Sequence, residues 1–538
     1  MPVTVLSGFL GAGKTTLLKR ILSQAHGGAD GAEPIKCAVL VNDMAALNID
    51  ASLVKNTKLM QQEAKLVELH NGCICCTLRE DLVKALTDLA AENKYDAIVV
   101  ESTGVSDPQE VAETFTYEVG EEEAQPADEG TRGGPIDTNA VKEALRGAAK
   151  LNDVARLDTC VTVVDCATFR ANLHTVAELQ EQFKGSADEG DDRGVAPLLM
   201  SQIEFADVVV LNKADLVSEK EAATVEASVR ALNPCARVLR TTRGDVPLDE
   251  VLKTGLFSMA KASNSPGWLQ TMRGEPVVPE TEVYNIGSFV YSARTPFHPE
   301  RLYDFLMSHF MVLIPEEEEE EEGVCPLPSR MVDENEEEDE RPKKVARIEA
   351  KQDAEEERKQ KEQEEAQLER EERDAMCAER IAACKAAFGT ILRSKGFFWI
   401  AGRDDVYGEW GQSGVVGELS CGGPWICKMP EDALPKEGTE DYAEMHKDFD
   451  GPEIQDRRQE IVFIGQDMKV ASIKAALDSC LIKPEETRCS DTSGHAWKFG
   501  VDYLEDPIPP FPTLDDYCGD EDEEEESDED GEDQEGEP

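Results

Sequence analysis

The stretch Gly8-Phe-Leu-Gly-Ala-Gly13-Lys14-Thr15-Thr16 constrains this chain more than any other part of it. It fits the pattern GxxxxGK[ST], with a β-branched apolar run, Val3–Ser7, before it and a helical stretch, Thr15–Ala25, after it. Glycines at these places let backbone N–H groups close around phosphate oxygens at a helix N-terminus, where the helix dipole favours negative charge. The lysine directly after the second glycine of the pattern adds a point charge, and the next hydroxyl suits Mg²⁺. Gly8, Gly11, Gly13, Lys14, Thr15 and Thr16 are therefore the expected phosphate-binding residues.

Such a loop belongs to an α/β fold, and the first 250 residues agree. Short apolar runs at Cys37–Val41, Ala97–Glu101, Cys160–Asp165, Asp207–Leu211 and Val238–Arg240 alternate with helical stretches. Runs that are apolar on both faces and separated by helices predict a mostly parallel sheet covered on both sides. The fifth of the six runs is followed by Asn212-Lys213-Ala214-Asp215. At the carboxyl edge of a strand, an NKxD aspartate accepts from the guanine N1–H and exocyclic amine, a donor pair that adenine lacks. GTP and GDP are thus expected over the adenine nucleotides.

Two acids complete the expected magnesium geometry. Asp43 follows the second strand at a position suited to a switch segment. Glu101 ends the third apolar run, before Ser102-Thr103-Gly104, where it can hold a Mg²⁺ water or orient the attacking one. Gly104 offers a backbone able to move with the γ-phosphate. Lys14, Glu101 and Asp43 are the expected catalytic residues, with Thr15 and Asp43 on Mg²⁺. Either acid also suits a structural role, Asp43 as a helix cap and Glu101 as a buried carboxylate.

His70-Asn-Gly-Cys73-Ile-Cys75-Cys76-Thr77 places three thiols within four residues. In an extended segment Cys73 and Cys75 face one side, and a turn brings Cys76 in. Three thiolates suit one borderline or soft ion, with a fourth tetrahedral position open, as in a site that exchanges its metal. His70 is a candidate fourth ligand, and a hydrogen-bonded structural role suits it as well. A buried cysteine cluster and a redox pair are the alternatives. Cys37, Cys160 and Cys166 sit in or beside strand runs and read as small core residues. Cys377 with Cys384, and Cys421 with Cys427, read as core or surface thiols before metal pairs.

A second unit opens near Glu280. Tyr284–Tyr291 predicts a strand, and His298-Pro299 a helix with proline at its first position. Further strands are expected at Gly396–Ala401, Gly414–Leu419 and Glu460–Gly465, then a helix at Val470–Leu481, which together make a smaller α+β domain. Acid runs interrupt and end it. Residues 316–374 and 519–538 supply −29 of the formal net charge of −57. A surface so short of Lys and Arg disfavours nucleic acid, whose non-specific binding rests on neutralising phosphates. Anionic membranes are disfavoured likewise. No 18-residue apolar window occurs, and no leader precedes the loop at Gly8, so a cytoplasmic protein with reduced thiols is expected.

Together, the loop at Gly8–Thr16, Gly72-Cys73-Ile74-Cys75-Cys76, Glu101-Ser-Thr-Gly104 and Asn212–Asp215 resemble the CobW family of GTPases, relatives of UreG and HypB. The runs Phe289–Leu302, Arg393–Trp399 and Arg457–Gln466 look like the CobW C-terminal domain. The resemblance implies a P-loop GTPase domain over residues 1–255 and a CobW C-terminal domain over 280–483. An acidic insertion at 316–374 interrupts the latter, and a disordered acidic tail covers 505–538. It further implies slow GTP hydrolysis coupled to metal at the cysteine run, with zinc the commonest cargo and cobalt or nickel as others. Metal would pass to metal-requiring client proteins, and a nucleotide-dependent homodimer is compatible with this. Gly8, Gly13, Lys14, Thr15, Glu101, Asn212 and Asp215 carry over as nucleotide residues, with Lys213 between the last two, and Cys73, Cys75 and Cys76 carry over as ligands. The switch here reads Asn42-Asp43-Met44-Ala45-Ala46, where many relatives carry Asn-Glu-Phe-Gly-Glu. Two other classes compete: a regulatory or targeting GTPase with structural cysteines, and a scaffold whose acid runs recruit basic partners.

Overall fold

The computed structural model describes residues 1–27, 34–41, 65–68, 79–116, 150–175, 193–274, 284–313, 367–368, 370, 372–430, 433–483, 486 and 506–511. Two sheets organise them. The first has seven strands in the order β3-β2-β4-β1-β5-β6-β7: β1 (Pro2–Ser7), β2 (Cys37–Val41), β3 (Lys65–Glu68), β4 (Ala97–Glu101), β5 (Arg156–Asp165), β6 (Val208–Asn212) and β7 (Arg237–Arg240). Every neighbouring pair is parallel. Helices α1 (Lys14–Gly27), α2 (Arg79–Glu92), α3 (Pro108–Thr116), α4 (Val195–Glu204) and α5 (Glu219–Leu232) lie among these strands in sequence. β2 and β4 are buried throughout, because helices cover both faces and leave no side for polar residues.

Local chemistry sets several boundaries. α5 starts at a capping box: the Glu221 N–H donates to Ser218 Oγ at 3.3 Å, and the Ser218 N–H donates to Glu221 Oε2 at 2.9 Å. Glu219 and Glu221 in its first turn also suit the positive end of the helix dipole. The helix expected after His298 is present as α6 (Pro299–His309), with proline at its first turn, where the missing N–H costs nothing.

The second sheet has the order β8-β13-β10-β11-β12-β9: β8 (Ile286–Ala293), β9 (Met311–Leu313), β10 (Thr390–Phe398), β11 (Val406–Ser413), β12 (Val416–Pro424) and β13 (Gln459–Gln466). Its pairs are antiparallel except β12 with β9. α7 (Val470–Cys480) and α6 pack on one face over Phe297, Phe310, Phe398, Trp410 and Phe463, all at most 1% exposed. An α/β unit and a smaller α+β unit therefore stand as expected. Three strands were not anticipated, namely β3, β9 and β11. β10 also starts six residues before the expected Gly396, and β6 runs Val208–Asn212 where Asp207–Leu211 was expected.

The two sheets share apolar packing. Ile286 of β8 and Leu392 of β10 lie in the same cluster as Leu199 and Ile203 of α4 and Val225 of α5. Arg393 of β10 crosses to Glu204 at the end of α4, Nε to Oε1 at 3.1 Å, with side chains only 11% and 9% exposed. Among the described residues no helix is long and apolar enough to cross a membrane.

Candidate functional site

β1 is the middle strand of the parallel sheet, so its carboxyl end opens between the ends of β4 and β5. The loop Gly8–Gly13 turns there into α1, whose first residue is Lys14. Gly8 has φ +126°, and a Cβ on it would stand 2.2 Å from the Val163 carbonyl oxygen of β5. No other residue lets the loop cross β5 so closely. The Lys14 ammonium turns back into the loop, donating to the Phe9 carbonyl at 3.2 Å and to the Gly8 carbonyl. Lys14 is 7% exposed. Burial lowers its pKa to about 8, against the opposing pull of the Glu101 carboxylate.

Thr15 and Glu101 meet directly. The Thr15 hydroxyl donates to Glu101 Oε1 at 2.7 Å, across 86 residues of chain. Glu101 is 6% exposed at the end of β4. A hydroxyl and a carboxylate in contact make a hard oxygen donor pair of the kind that suits Mg²⁺. Ser102 follows, its N–H and hydroxyl each donating to the Leu6 carbonyl at 3.0 Å, which ties β4 to β1 at the loop. A Cβ on Gly104 would stand 2.5 Å from the Leu10 backbone nitrogen, so this glycine is where the segment after β4 touches the phosphate loop.

Asn212 ends β6 in register with Asp165 at the end of β5. Its side-chain amide donates to the Ala12 carbonyl at 2.9 Å, and its Oδ1 accepts from the Gly244 N–H at 3.1 Å. It therefore clamps the loop to the segment after β7. Lys213 adopts a left-handed φ of +58° and its ammonium lies 2.7 Å from Asp165 Oδ2. Asp215 is exposed in a short turn of 3₁₀ helix and makes no hydrogen bond or ion pair among the described residues. Thr16 is exposed on α1, and Gly11, at φ +76°, has open space where a Cβ would go.

Gly8, Gly11, Gly13, Lys14, Thr15, Glu101, Gly104, Asn212, Lys213 and Asp215 thus gather at the carboxyl edge of one sheet. Asp43, His70, Cys73, Cys75 and Cys76 lie outside the described residues. Among the described residues no group of three or more His, Cys, Asp or Glu side chains is placed to hold a metal ion. Two residues were missed from sequence: Asp165, which holds Lys213, and Gly244, whose N–H meets Asn212. Asp165 carried a usable signal, since it is an acid ending an apolar strand, as Glu101 is.

Among the other described cysteines, Cys37, Cys160, Cys166, Cys377 and Cys480 are buried, Cys384, Cys421 and Cys427 are half-buried, and Cys235 is exposed. Cys37, Cys160 and Cys166 are at most 5% exposed. Burial pushes the Cys37 thiol up to about 12 and Cys166 to about 11. Cys377 is buried on the helix over 372–388, and Cys384 is pushed up to about 12 by burial. All the described cysteines are free thiols.

Residues 2–132 and 131–240 match the family described as "CobW/HypB/UreG, nucleotide-binding domain", and residues 366–481 match the "Cobalamin synthesis protein cobW C-terminal domain". A "Zinc-regulated GTPase metalloprotein activator 1" of Dictyostelium discoideum is 35% identical over 506 residues, covering 92% of this chain and 83% of that protein. The chain belongs to the CobW family. The "Zinc chaperone CobW" of Pseudomonas aeruginosa is 28% identical over 260 residues, 47% of this chain and 59% of that protein. The "Zinc chaperone YjiA" of Escherichia coli is 28% identical over 263 residues, 48% of this chain and 62% of that protein. The CobW-family resemblance expected from the motifs is therefore met, and this chain spans about three-fifths of the two bacterial relatives.

Proposed function

We propose that this chain is a GTP-hydrolysing metallochaperone that binds Zn²⁺ through Cys73, Cys75 and Cys76 and passes it to a client protein under nucleotide control. The GTPase reading rests on family membership and on the edge built by Lys14, Thr15, Glu101, Asn212 and Asp215. The loop N–H groups and the α1 N-terminus receive the phosphates, with Lys14 as the buried cation. Thr15 and Asp43 would hold Mg²⁺, with Glu101 holding one of its waters or orienting the attacking one, and the ion would supply positive charge against the phosphate oxygens. Asp215 is the uncommitted carboxylate available to guanine, while the Asn212 side chain is spent on the loop.

The observation that carries the metal reading is a register. β3 ends at Glu68, paired with Val41 of β2, and Val41 is paired in turn with Glu101 of β4. The chain that contains the three thiols therefore leaves the sheet at the same edge, two strands from the carboxylate that meets Thr15. A nucleotide-dependent movement at Glu101 would act two strands from Glu68, where the described part of that segment ends. Free thiols near pKa 8.5 must lose protons to bind zinc, so binding weakens in acid.

The test is zinc affinity, measured anaerobically with GDP and with a slowly hydrolysed GTP analogue. A tenfold difference corresponds to about 1.4 kcal/mol of coupling, and zinc must then alter GTP affinity by the same factor. Equal zinc affinities in the two nucleotide states remove the switch. Stoichiometric zinc in a Cys73→Ser, Cys75→Ser, Cys76→Ser triple variant removes the assigned ligands while leaving the GTPase reading intact.

A further inference from the structure

Strand alternation gives the second sheet two unlike faces. Phe398, Trp410 and Phe463 point into the core, while Phe397 and Lys395 of β10, Tyr407 and Glu409 of β11 and Arg458 before β13 share the opposite face. That face carries a cavity of about 500 Å³, lined among others by Trp268, Met272, Trp425 and Met429. This size lies within the range of sites that hold small ligands or a few residues of peptide.

The lining is aromatic and its rings stand at steep angles to one another. Phe397 meets Tyr407 at 69° and Trp425 at 78°, with centroids 6.1 and 6.2 Å apart, and Tyr407 lies 5.4 Å from Trp425. Gly422 permits this. A Cβ there would stand 2.0 Å from the Tyr407 ring, so the glycine lets the ring lie across β12.

The polar groups left over are mainly donors. The Trp425 indole N–H is buried with no acceptor. The Lys395 ammonium sits 5.4 Å from the centre of the Trp268 ring and has no carboxylate within ion-pair distance among the described residues. Arg458 and Asp456, by contrast, are satisfied. Arg458 pairs with Glu460 at 2.9 Å, and Asp456 accepts from the Ile426 N–H at 2.7 Å. Glu409, two residues along from Tyr407, is exposed, and it and Lys395 both line the cavity.

We infer that this cavity is a docking groove for an extended, proline-bearing segment of a partner protein with a carboxylate that meets Lys395. A prolyl residue has a ring to lay on an aromatic face and a carbonyl to accept a hydrogen bond, but no N–H in need of an acceptor. It thus matches walls that offer rings and unspent donors. A polyproline II segment is also ordered before it binds, which lowers the entropy lost on docking. The charge complementarity of Lys395 selects an acidic flank over a basic one.

The test titrates the full chain with a capped octaproline peptide that opens with two aspartates, and with its all-alanine counterpart, followed by calorimetry and tryptophan fluorescence. The proline peptide binds saturably and the alanine peptide does not. Trp425→Phe, which keeps a ring and removes the N–H, weakens binding about fivefold, the value of one hydrogen bond. Tyr407→Ala abolishes it, and Lys395→Gln removes the preference for the acidic flank. Nucleotide binding by each variant reports that it is folded. The inference is overturned by the absence of saturable binding up to about 1 mM peptide, by equal binding of the alanine peptide, or by binding unchanged in Trp425→Phe and Tyr407→Ala. It is also overturned if the free chain self-associates through this face, seen as a concentration-dependent dimer lost in Tyr407→Ala.

Discussion

The side-chain amide nitrogen of Asn212 stands 2.2 Å from where a Cβ on Gly13 would lie, and it is the same nitrogen that donates to the Ala12 carbonyl. Gly13 also holds φ +111°. Absence of a side chain at position 13 is therefore demanded twice, once by backbone conformation and once by the clamp that joins the phosphate loop to the end of β6. Gly13→Ala should displace Asn212 and strain the loop by about 1–3 kcal/mol. The expected result is a folded protein whose nucleotide affinity falls at least about tenfold, read by titration with a fluorescent GDP analogue. Adding Asn212→Ala should relieve only part of the loss, because the strain at φ +111° stays.

Lys14 should make nucleotide binding pH-dependent. Its pKa in the free protein is about 8, lowered from 10.5 chiefly by burial. The sign is that of a base whose charged form is disfavoured by folding. Between about 8 and 10.5 the unfolded chain binds more protons, so the stability of the free protein rises with pH across that window. Phosphate reverses this, because it favours the ammonium. Nucleotide affinity should be flat below pH 8 and should fall above it by up to about tenfold per pH unit. Lys14→Ala should bind weakly with no such slope; an unchanged slope in that variant assigns the titration to another group.

Glu101→Gln keeps the shape of the side chain and removes the charge. Thr15 can still bond to it, so GDP affinity should change little. The charge-assisted bond is lost, and with it the carboxylate proposed to hold a Mg²⁺ water or the attacking one, a change worth about 1.5–3 kcal/mol. Turnover of GTP should fall by roughly ten- to a hundredfold, with a higher Mg²⁺ requirement. Wild-type turnover at ordinary Mg²⁺ would show that Glu101 is only structural.

The Arg393–Glu204 pair joins the second sheet to helix α4 and is nearly dry. Arg393 also donates to Ser413 Oγ. Removing one partner leaves a buried charge without compensation, at a cost of about 3–5 kcal/mol, whereas replacing both with apolar groups is far milder. Arg393→Met alone should lower the urea midpoint strongly, and the double variant with Glu204→Leu should recover much of it. Additive losses would mean that the two charges are already solvated.

Much of the α/β unit was legible from residues alone. Uninterrupted apolar runs such as Cys37–Val41 and Ala97–Glu101 had no other way to be buried, and the loop at Gly8–Thr16 determined their polarity. β11 was not legible for a physical reason. Val406–Ser413 holds two glycines and several polar residues, which weaken any strand signal. Gly408 is there because a Cβ would stand 2.3 Å from the Phe398 ring of the neighbouring strand. β3 is four residues long with a charge at each end, and it exists because β2 offers it an edge.

Local chemistry is written in the residues themselves: a phosphate loop ahead of a helix, an NKxD segment after a strand, three thiols within four residues, and acid runs that hold about half of the net charge. Tertiary structure alone decided how those groups are committed. Asn212 looks like part of a base-reading element, but its amide is spent on Ala12 and Gly244. Asp165 looks like a strand terminus, but it holds Lys213. Thr15 and Glu101 are 86 residues apart and share one hydrogen bond. Partners of this kind are set by strand order and register, and those depend on how the whole sheet buries its apolar faces.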